Sequence, residues 1–127
     1  MAPFYPTLVS DKFTKTINFY EDFFGFAPAI ERDGYALMQS QKNPEMCIGV
    51  FDCGHECVSP LQSSSKGVIV NIVVDDVKEA YDNLYMEGLE MYKDLGKDIN
   101  GMDHFIVFDP NGVLVNVHAP LASGYAA

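Results

Sequence analysis

The chain has 127 residues, 48% hydrophobic and 20% charged, which suits one domain with its own core and argues against disorder. Eight basic residues stand against eighteen acidic ones, for a net charge of −10. Nucleic-acid binding is therefore not expected, because phosphate contacts require Lys and Arg. No apolar run approaches the roughly 20 residues of a membrane helix. The first residues lack a basic n-region and an apolar h-region, so we expect no secretory signal there. The odd set of three cysteines favours the cytoplasm.

The first half of the chain predicts a strand followed by a helix. The strand begins at Thr7, and we expect the helix to follow a cap at Ser10 or Asp11. Gly25 suits the C-terminal end of this helix. The apolar residues that recur at helical spacing are Phe13, Ile17, Tyr20 and Phe24.

Three short strands are predicted after this helix, over residues 28–32, 35–41 and 46–52. Asp33-Gly34 joins the first two of them as a two-residue hairpin. Residues 53–67 lack periodicity and are rich in Ser, Pro and Gly, so we interpret them as a linker.

The second half repeats the pattern of the first from residue 68 onward. A strand leads to a helix that is capped by Asp76 and closed by Gly88. Its apolar stripe consists of Val77, Ala80, Tyr81 and Leu84. Further strands are predicted over residues 89–94, 102–108 and 113–119. The sequence therefore predicts two β-α-β-β-β units, in which each helix covers one face of a sheet and leaves the other open.

The turn between the last two strands predicts which side chains line the second open face. Pro110, Asn111 and Gly112 suit a three-residue loop with the glycine in the left-handed conformation. The resulting cross-strand pairs are His104 with His118, Ile106 with Asn116, and Phe108 with Leu114. The strand that opens this unit adds Ile69, Asn71 and Val73 to the same face. It turns Val68, Val70, Ile72 and Val74 towards the helix.

His104 and His118 admit three interpretations. Their Cβ atoms are expected about 5 Å apart as direct cross-strand neighbours. They are candidates for an acid/base pair, because histidine titrates near neutral pH. They are also candidates for two ligands of a displaced metal site, although no carboxylate is clearly placed on their face. The third interpretation is that both line a wet cleft and contact a ligand.

Other polar residues are weaker candidates for ligand or metal contacts. Asn71 and Asn116 are expected to bond to a ligand, to each other through water, or to a second copy of the chain. Tyr35 is expected to share a face with Arg32, which is an anchor for an anion only if that face is the site. Cys53, His55 and Cys57 have an unusual spacing for zinc, so we expect no metal there.

The chain resembles the vicinal oxygen chelate superfamily, which includes glyoxalase I, extradiol dioxygenases, fosfomycin-resistance enzymes and bleomycin-resistance proteins. The matching stretches are VSDKFTKTINFYEDFFGF, VVDDVKEAY and FDPNGVLVNV, and the resemblance covers roughly residues 4–120. It implies an α+β fold in which two βαβββ modules form a cleft with their curved mixed sheets, often completed by dimerisation. On this basis residues 1–127 form a single glyoxalase/bleomycin-resistance-like domain, with modules at 1–52 and 68–120 around the linker at 53–67.

Enzymes of this superfamily usually bind one divalent metal ion through His or Glu. By resemblance, the ligand positions fall on Asn116, on Ile69 and near Phe4. An amide oxygen is a poor ligand for transition metals, and Ile and Phe cannot ligate at all. The resemblance therefore implies the bleomycin-resistance branch, which binds drugs in the cleft without metal or turnover.

We carry three hypotheses forward. The first is a metal-free, cofactor-free small-molecule binding protein, a cytoplasmic homodimer that sequesters an aromatic or cationic compound. The second is a lyase, isomerase or dioxygenase of the same superfamily that uses one divalent metal, or acid/base chemistry, at His104 and His118. The third is a subunit whose cleft is filled by its own side chains. The expected ligand contacts are Tyr35, Asn71, His104, Ile106, Phe108, Leu114, Asn116 and His118.

Overall fold

The computed structural model describes residues 4–58 and 68–120. The chain divides into two compact units, Met1–Lys66 and Gly67–Ala127. Within the segment that we interpreted as a linker, residues 53–58 form turns and residues 59–67 lie outside the described part of the chain.

Each unit contains a helix and a four-stranded sheet. The elements of the first unit are β1 (Thr7–Ser10), α1 (Phe13–Phe24), β2 (Phe26–Arg32), β3 (Tyr35–Ser40) and β4 (Cys47–Asp52). Those of the second unit are β5 (Ile69–Val73), α2 (Val77–Met86), β6 (Met91–Lys97), β7 (Asp103–Phe108) and β8 (Leu114–His118). No helix of residues 4–58 or 68–120 has the length and apolar character needed to cross a membrane.

The two sheets have the same topology. Their strand orders are β1-β4-β3-β2 and β5-β8-β7-β6. The first strand of each unit pairs in parallel with the last strand, and the remaining pairs are antiparallel. The predicted α+β fold of two βαβββ modules with mixed sheets is therefore confirmed.

The two helices begin differently. The expected cap at Ser10 or Asp11 is wrong for α1, because Lys12 is the N-cap residue and makes no side-chain capping bond. The reason is that β1 runs to Ser10, whose Oγ accepts from the backbone N–H of Lys12. In α2 the expected cap is confirmed, since the carboxylate of Asp76 accepts from the backbone N–H of Glu79 at 3.0 Å.

The helix-facing side of each sheet forms the core of its unit. In the first unit this side includes fully buried Met38 and Val50 together with Tyr20 of α1. Seven of the predicted inward residues of the second unit are buried, namely Val70, Ile72, Phe105, Val107, Val113, Val115 and Val117. The prediction is wrong for Val68, which is 38% exposed, and for Val74, which is partly exposed, because both lie just outside the ends of β5. The alternation along β5, β7 and β8 therefore leaves the other side of the second sheet to be lined by the residues between them.

The loop between β7 and β8 has the predicted geometry. Gly112 has a φ of 79°, in the left-handed region that favours glycine. The carboxylate of Asp109 accepts from the backbone N–H groups of Asn111 and Val113 at 2.7 and 2.9 Å. The cross-strand pairs of His104, Ile106 and Phe108 are those predicted, with His118, Asn116 and Leu114.

Candidate functional site

The open face of the second sheet carries a chain of hydrogen-bonded polar side chains across three strands. Nδ2 of Asn116 on β8 donates to Oδ1 of Asn71 on β5 at 2.9 Å. Oδ1 of Asn116 lies 2.7 Å from Nδ1 of His104 on β7. The two asparagines thus bond directly, which differs from the three expected arrangements. The reason is that the parallel register places Asn71 opposite Asn116 on the same face.

His104 is the most deeply buried member of this chain, with 5% of its surface exposed. Its Nε2 atom is buried and has no hydrogen-bond partner among the residues that the structure describes. Buried polar atoms of native proteins nearly always have a partner, so an orphan of this kind calls for an explanation. The expectation of a wet lining position does not describe His104, whereas His118 is partly exposed.

His118 lies directly opposite His104, as predicted. Nδ1 of His118 is 2.8 Å from the carbonyl oxygen of Ala119. Because a carbonyl oxygen can only accept, Nδ1 of His118 carries a hydrogen. Both histidines therefore use Nδ1 for local hydrogen bonds, and this fixes the planes of their rings on the open face.

A carboxylate beside the two histidines was missed by sequence reasoning. Asp98 follows β6 and accepts from the backbone N–H groups of Asn100 and Met102 at 2.8 and 2.9 Å. The pKa of Asp98 is lowered, and the largest cause is the hydrogen bond from the Met102 N–H. Burial acts in the opposite direction. The Asn100 N–H and the charges of His104 and His118 lower the pKa further. The available signal was the turn sequence Asp-x-Asn-Gly, in which Gly101 has a φ of 77°.

Apolar side chains surround the polar chain on the same face. Ile69 and Val73 of β5 are 53% and 41% exposed. The side chains of Ile106, Phe108 and Leu114 are partly exposed. Sequence reasoning also missed Tyr92, which is 58% exposed and has its ring centroid 5.6 Å from that of Phe108. The second open face therefore combines a short polar line with exposed apolar area, as is usual for sites that bind organic compounds.

The open face of the first sheet is built mainly of packed apolar groups. Leu37 and Cys47 are 2% and 5% exposed, and Ile30 and Tyr35 pack against them. Tyr35 therefore belongs to this face of the first unit, whereas the other seven predicted contact residues share the face of the second. Arg32 is exposed, and its guanidinium donates to the carbonyl of Glu31.

Aromatic rings continue along this first face to the turns after β4. The rings of Tyr35 and Phe51 have centroids 4.5 Å apart, and those of Phe51 and His55 are 5.0 Å apart. Burial raises the pKa of Tyr35, and the neighbouring Tyr5 raises it further. Nδ1 of His55 accepts from the backbone N–H of Cys57 at 3.0 Å, so one ring nitrogen of this histidine is already engaged.

The described residues do not fit the divalent metal that the superfamily's enzymes use. In residues 4–58 and 68–120, no three side chains of His, Cys, Asp or Glu lie together so as to hold a metal ion. Ile69 has no donor atom, and the oxygen of Asn116 is turned towards Nδ1 of His104.

Comparison with known proteins shows which superfamily has this architecture. The sequence profile of the Glyoxalase/Bleomycin resistance protein/Dioxygenase superfamily matches residues 4–117. The chain belongs to this superfamily. No curated protein matches the chain significantly in sequence.

Several solved structures have the same fold as this chain. A bleomycin-binding protein complexed with bleomycin is 21% identical, with a TM-score of 0.68 over 95% of this chain and 100% of that one. A lactoylglutathione lyase from Agrobacterium tumefaciens is 18% identical, with a TM-score of 0.69 over 94% of each chain. A superfamily member from Sphaerobacter thermophilus is 16% identical, with a TM-score of 0.74 over 94% of this chain and 98% of that one. At these identities the likeness concerns the fold, which glyoxalase and drug-binding members share.

Proposed function

We propose that the chain is a small-molecule binding protein that sequesters an organic compound without a metal ion. The observation that carries this proposal is the open face of the second sheet. There the hydrogen-bonded line of Asn71, Asn116 and His104 ends at a buried nitrogen that has no partner among residues 4–58 and 68–120. Exposed apolar side chains lie on the same face. Such a surface suits a ligand with an apolar body and few polar groups.

The class of compound follows from charge and from similarity. The net charge of −10 favours a cation over an anion. A structural neighbour is a bleomycin-binding protein that was solved with bleomycin bound, which supports capture of a drug-like compound by this fold. We therefore propose an aromatic or cationic ligand, which is held stoichiometrically by a cytoplasmic homodimer and is not converted.

The first test is a thermal-shift and calorimetric screen with bleomycin and a panel of aromatic cations, neutral aromatics and aromatic anions. The chain has no tryptophan, so calorimetry is preferable to intrinsic fluorescence. A ligand at a hundred times its Kd should stabilise the protein by about 2.7 kcal/mol. Aromatic cations should bind best, and Leu114→Ala should weaken their binding. The matched control is Ile99→Ala, because Ile99 is 99% exposed and lies in a loop of the same unit.

Metal content decides between this proposal and a metalloenzyme. Tag-free protein purified without chelator should contain less than a tenth of an equivalent of metal, and should gain no tight site after addition of Ni²⁺, Zn²⁺, Mn²⁺ or Fe²⁺. One tightly held equivalent that is lost in His104→Ala or His118→Ala would contradict the proposal.

A second candidate function is acid/base catalysis at the two histidines. The observation that favours it is that His104 and His118 lie directly opposite each other on neighbouring strands. The pKa of the neighbouring Asp98 is lowered first by the Met102 N–H and further by the charges of both histidines. A lyase or isomerase would then use one imidazole as base and the other as acid. The enzyme would be favoured if the protein converts a bound ligand, and if His104→Gln and His118→Gln each abolish this turnover while they still bind the ligand.

A further inference from the structure

We propose that Nε2 of His104 is the hydrogen-bond acceptor that selects the ligand, so that the site takes compounds with an N–H or O–H donor and prefers a cationic donor. This inference rests on the proposed binding function and adds the chemical class of the ligand and the atom that recognises it. Three features carry it, namely the tautomer of His104, the burial of its ring and the charge beside it.

The tautomer follows from the direction of the hydrogen-bond chain. The amide of Asn116 has a donor nitrogen and an acceptor oxygen, and the nitrogen is used by Oδ1 of Asn71. The oxygen therefore faces His104, at 2.7 Å from Nδ1. An oxygen in that position requires a hydrogen on Nδ1. A neutral imidazole has only one N–H, so Nε2 presents a lone pair.

Burial turns this lone pair into a selective group. His104 is 5% exposed, and its Nε2 has no hydrogen-bond partner among the described residues. A buried acceptor without a donor raises the free energy of the empty site. A ligand N–H or O–H removes that cost, whereas a carboxylate or phosphate oxygen would face a lone pair and be repelled. The same logic lets a site built around a hydrogen bond reject analogues that lack the matching group.

The negative charge of Asp98 decides which hydrogen-bond donors of a ligand are preferred. Asp98 is held as a carboxylate by the backbone N–H groups of Met102 and Asn100, so its oxygen is already engaged and its negative charge is fixed in place. A carboxylate attracts a cation, whereas it has no net charge attraction for a neutral hydroxyl. An ammonium or amidinium donor is therefore preferred to a hydroxyl. The apolar side chains of Ile106 and Leu114 lie on the same face and provide contacts for the rest of the ligand.

The tautomer can be measured without a ligand. In two-bond proton–nitrogen correlation spectra of ¹⁵N-labelled protein near neutral pH, His104 should show a protonated Nδ1 and an unprotonated Nε2. Asn116→Leu should remove the constraint and shift His104 towards the Nε2–H form. The control is Asn83→Leu, because Asn83 is an exposed residue of α2, outside this chain of bonds. An Nε2–H or doubly protonated ring in the unmodified protein would overturn the inference.

Four small probes separate the hydrogen bond from charge. Benzylamine is a cationic donor, benzyl alcohol a neutral donor, benzyltrimethylammonium a cation without a donor, and benzoate an anion. Titrations followed by NMR should give the affinity order benzylamine, benzyl alcohol, benzyltrimethylammonium, benzoate. The Nε2 resonance of His104 should move with the two donors only. In His104→Phe the preference for benzylamine over benzyltrimethylammonium should fall about tenfold, as expected for one charge-assisted hydrogen bond.

The outcomes separate this inference from the proposed function. If benzyltrimethylammonium or benzoate binds as well as benzylamine, the binding function stands and the selection by Nε2 is wrong. If the Nε2 resonance does not move with any bound probe, the acceptor is satisfied by water and the selection is again wrong. If none of the four probes and no compound of the larger panel binds, both the function and the inference are overturned.

Discussion

The two units have the same strand order and the same pairing pattern, yet their open faces differ in kind. On the first face, Leu37 and Cys47 are buried and Ile30 and Tyr35 pack against them. On the second face, Asn116 links a neighbouring strand to a buried histidine, and exposed apolar side chains surround this line. The backbone scaffold is therefore shared, and the choice of side chains at alternate strand positions decides whether a face resembles a core or a site.

The largest effect that separates the faces should come from truncating one leucine on each of them. Leu37→Ala should lower the free energy of unfolding by about 3 kcal/mol, because a fully buried side chain leaves a cavity. Leu114→Ala should cost less than about 1.5 kcal/mol, since Leu114 is partly exposed. Chemical denaturation measures both values. Equal losses would show that the two faces are buried alike.

The polar chain of the second unit should also contribute to stability. Asn116→Leu removes both hydrogen bonds of this residue and leaves Nδ1 of His104 without its acceptor. We expect a loss of about 1–3 kcal/mol, the usual cost of an unsatisfied buried polar group. Asn83→Leu is the control and should change the free energy of unfolding by less than about 0.5 kcal/mol. If both variants unfold at the same denaturant concentration, the chain does not stabilise the fold.

The helix starts offer a third contrast between the units. Asp76→Ala should destabilise the protein by about 1 kcal/mol, because the carboxylate caps the backbone N–H of Glu79. Asp11→Ala should have a smaller effect, since α1 has no side-chain cap and Asp11 is exposed. Thermal unfolding of the two variants side by side tests this. An equal or larger loss in Asp11→Ala would mean that the acidic residues before the two helices have equivalent roles.

The smallest predicted effect is the pH dependence of the first face. Burial first, and then Tyr5, raises the pKa of Tyr35, so the folded state favours the neutral phenol. The resulting contribution to stability is present in full below the ordinary tyrosine pKa of about 10 and is lost as the pH rises through the higher folded value. Denaturation at about pH 9 and about pH 11 should show a steeper fall for the unmodified protein than for Tyr35→Phe. Parallel losses would contradict this prediction.

Several features of the second face were predictable because they depend on local rules. The three-residue loop ending at Gly112 sets the register of β7 and β8, and that register places His104 opposite His118. The strict alternation of β5 separates buried Val70 and Ile72 from the exposed positions between them. Turn chemistry and a period of two residues were sufficient for these assignments.

Other features depended on geometry that the sequence does not specify. The pairing of β6 with β7 shifts register twice before Gly96, so counting along the strands could not locate Asp98 beside the histidines. The direct bond between Asn71 and Asn116 depends on the side-chain rotamers of both amides. The start of α1 was placed wrongly because β1 extends to Ser10, which delays the helix until Phe13. The first two details decide the chemistry of the second face, and all three follow from tertiary packing.

The strand pairing also has a consequence for how the protein is made. Within the described residues, every strand pair joins strands of one unit, and the first sheet is complete once β4 ends at Asp52. Residues 53–127, which include the whole second sheet, follow it in the sequence. Folding during synthesis generally proceeds from the N-terminal part of a protein. The first sheet can therefore form on the ribosome before β5 has been synthesised. Its last and slowest step should be the parallel pairing of β1 with β4, which closes the longest loop in that half of the protein.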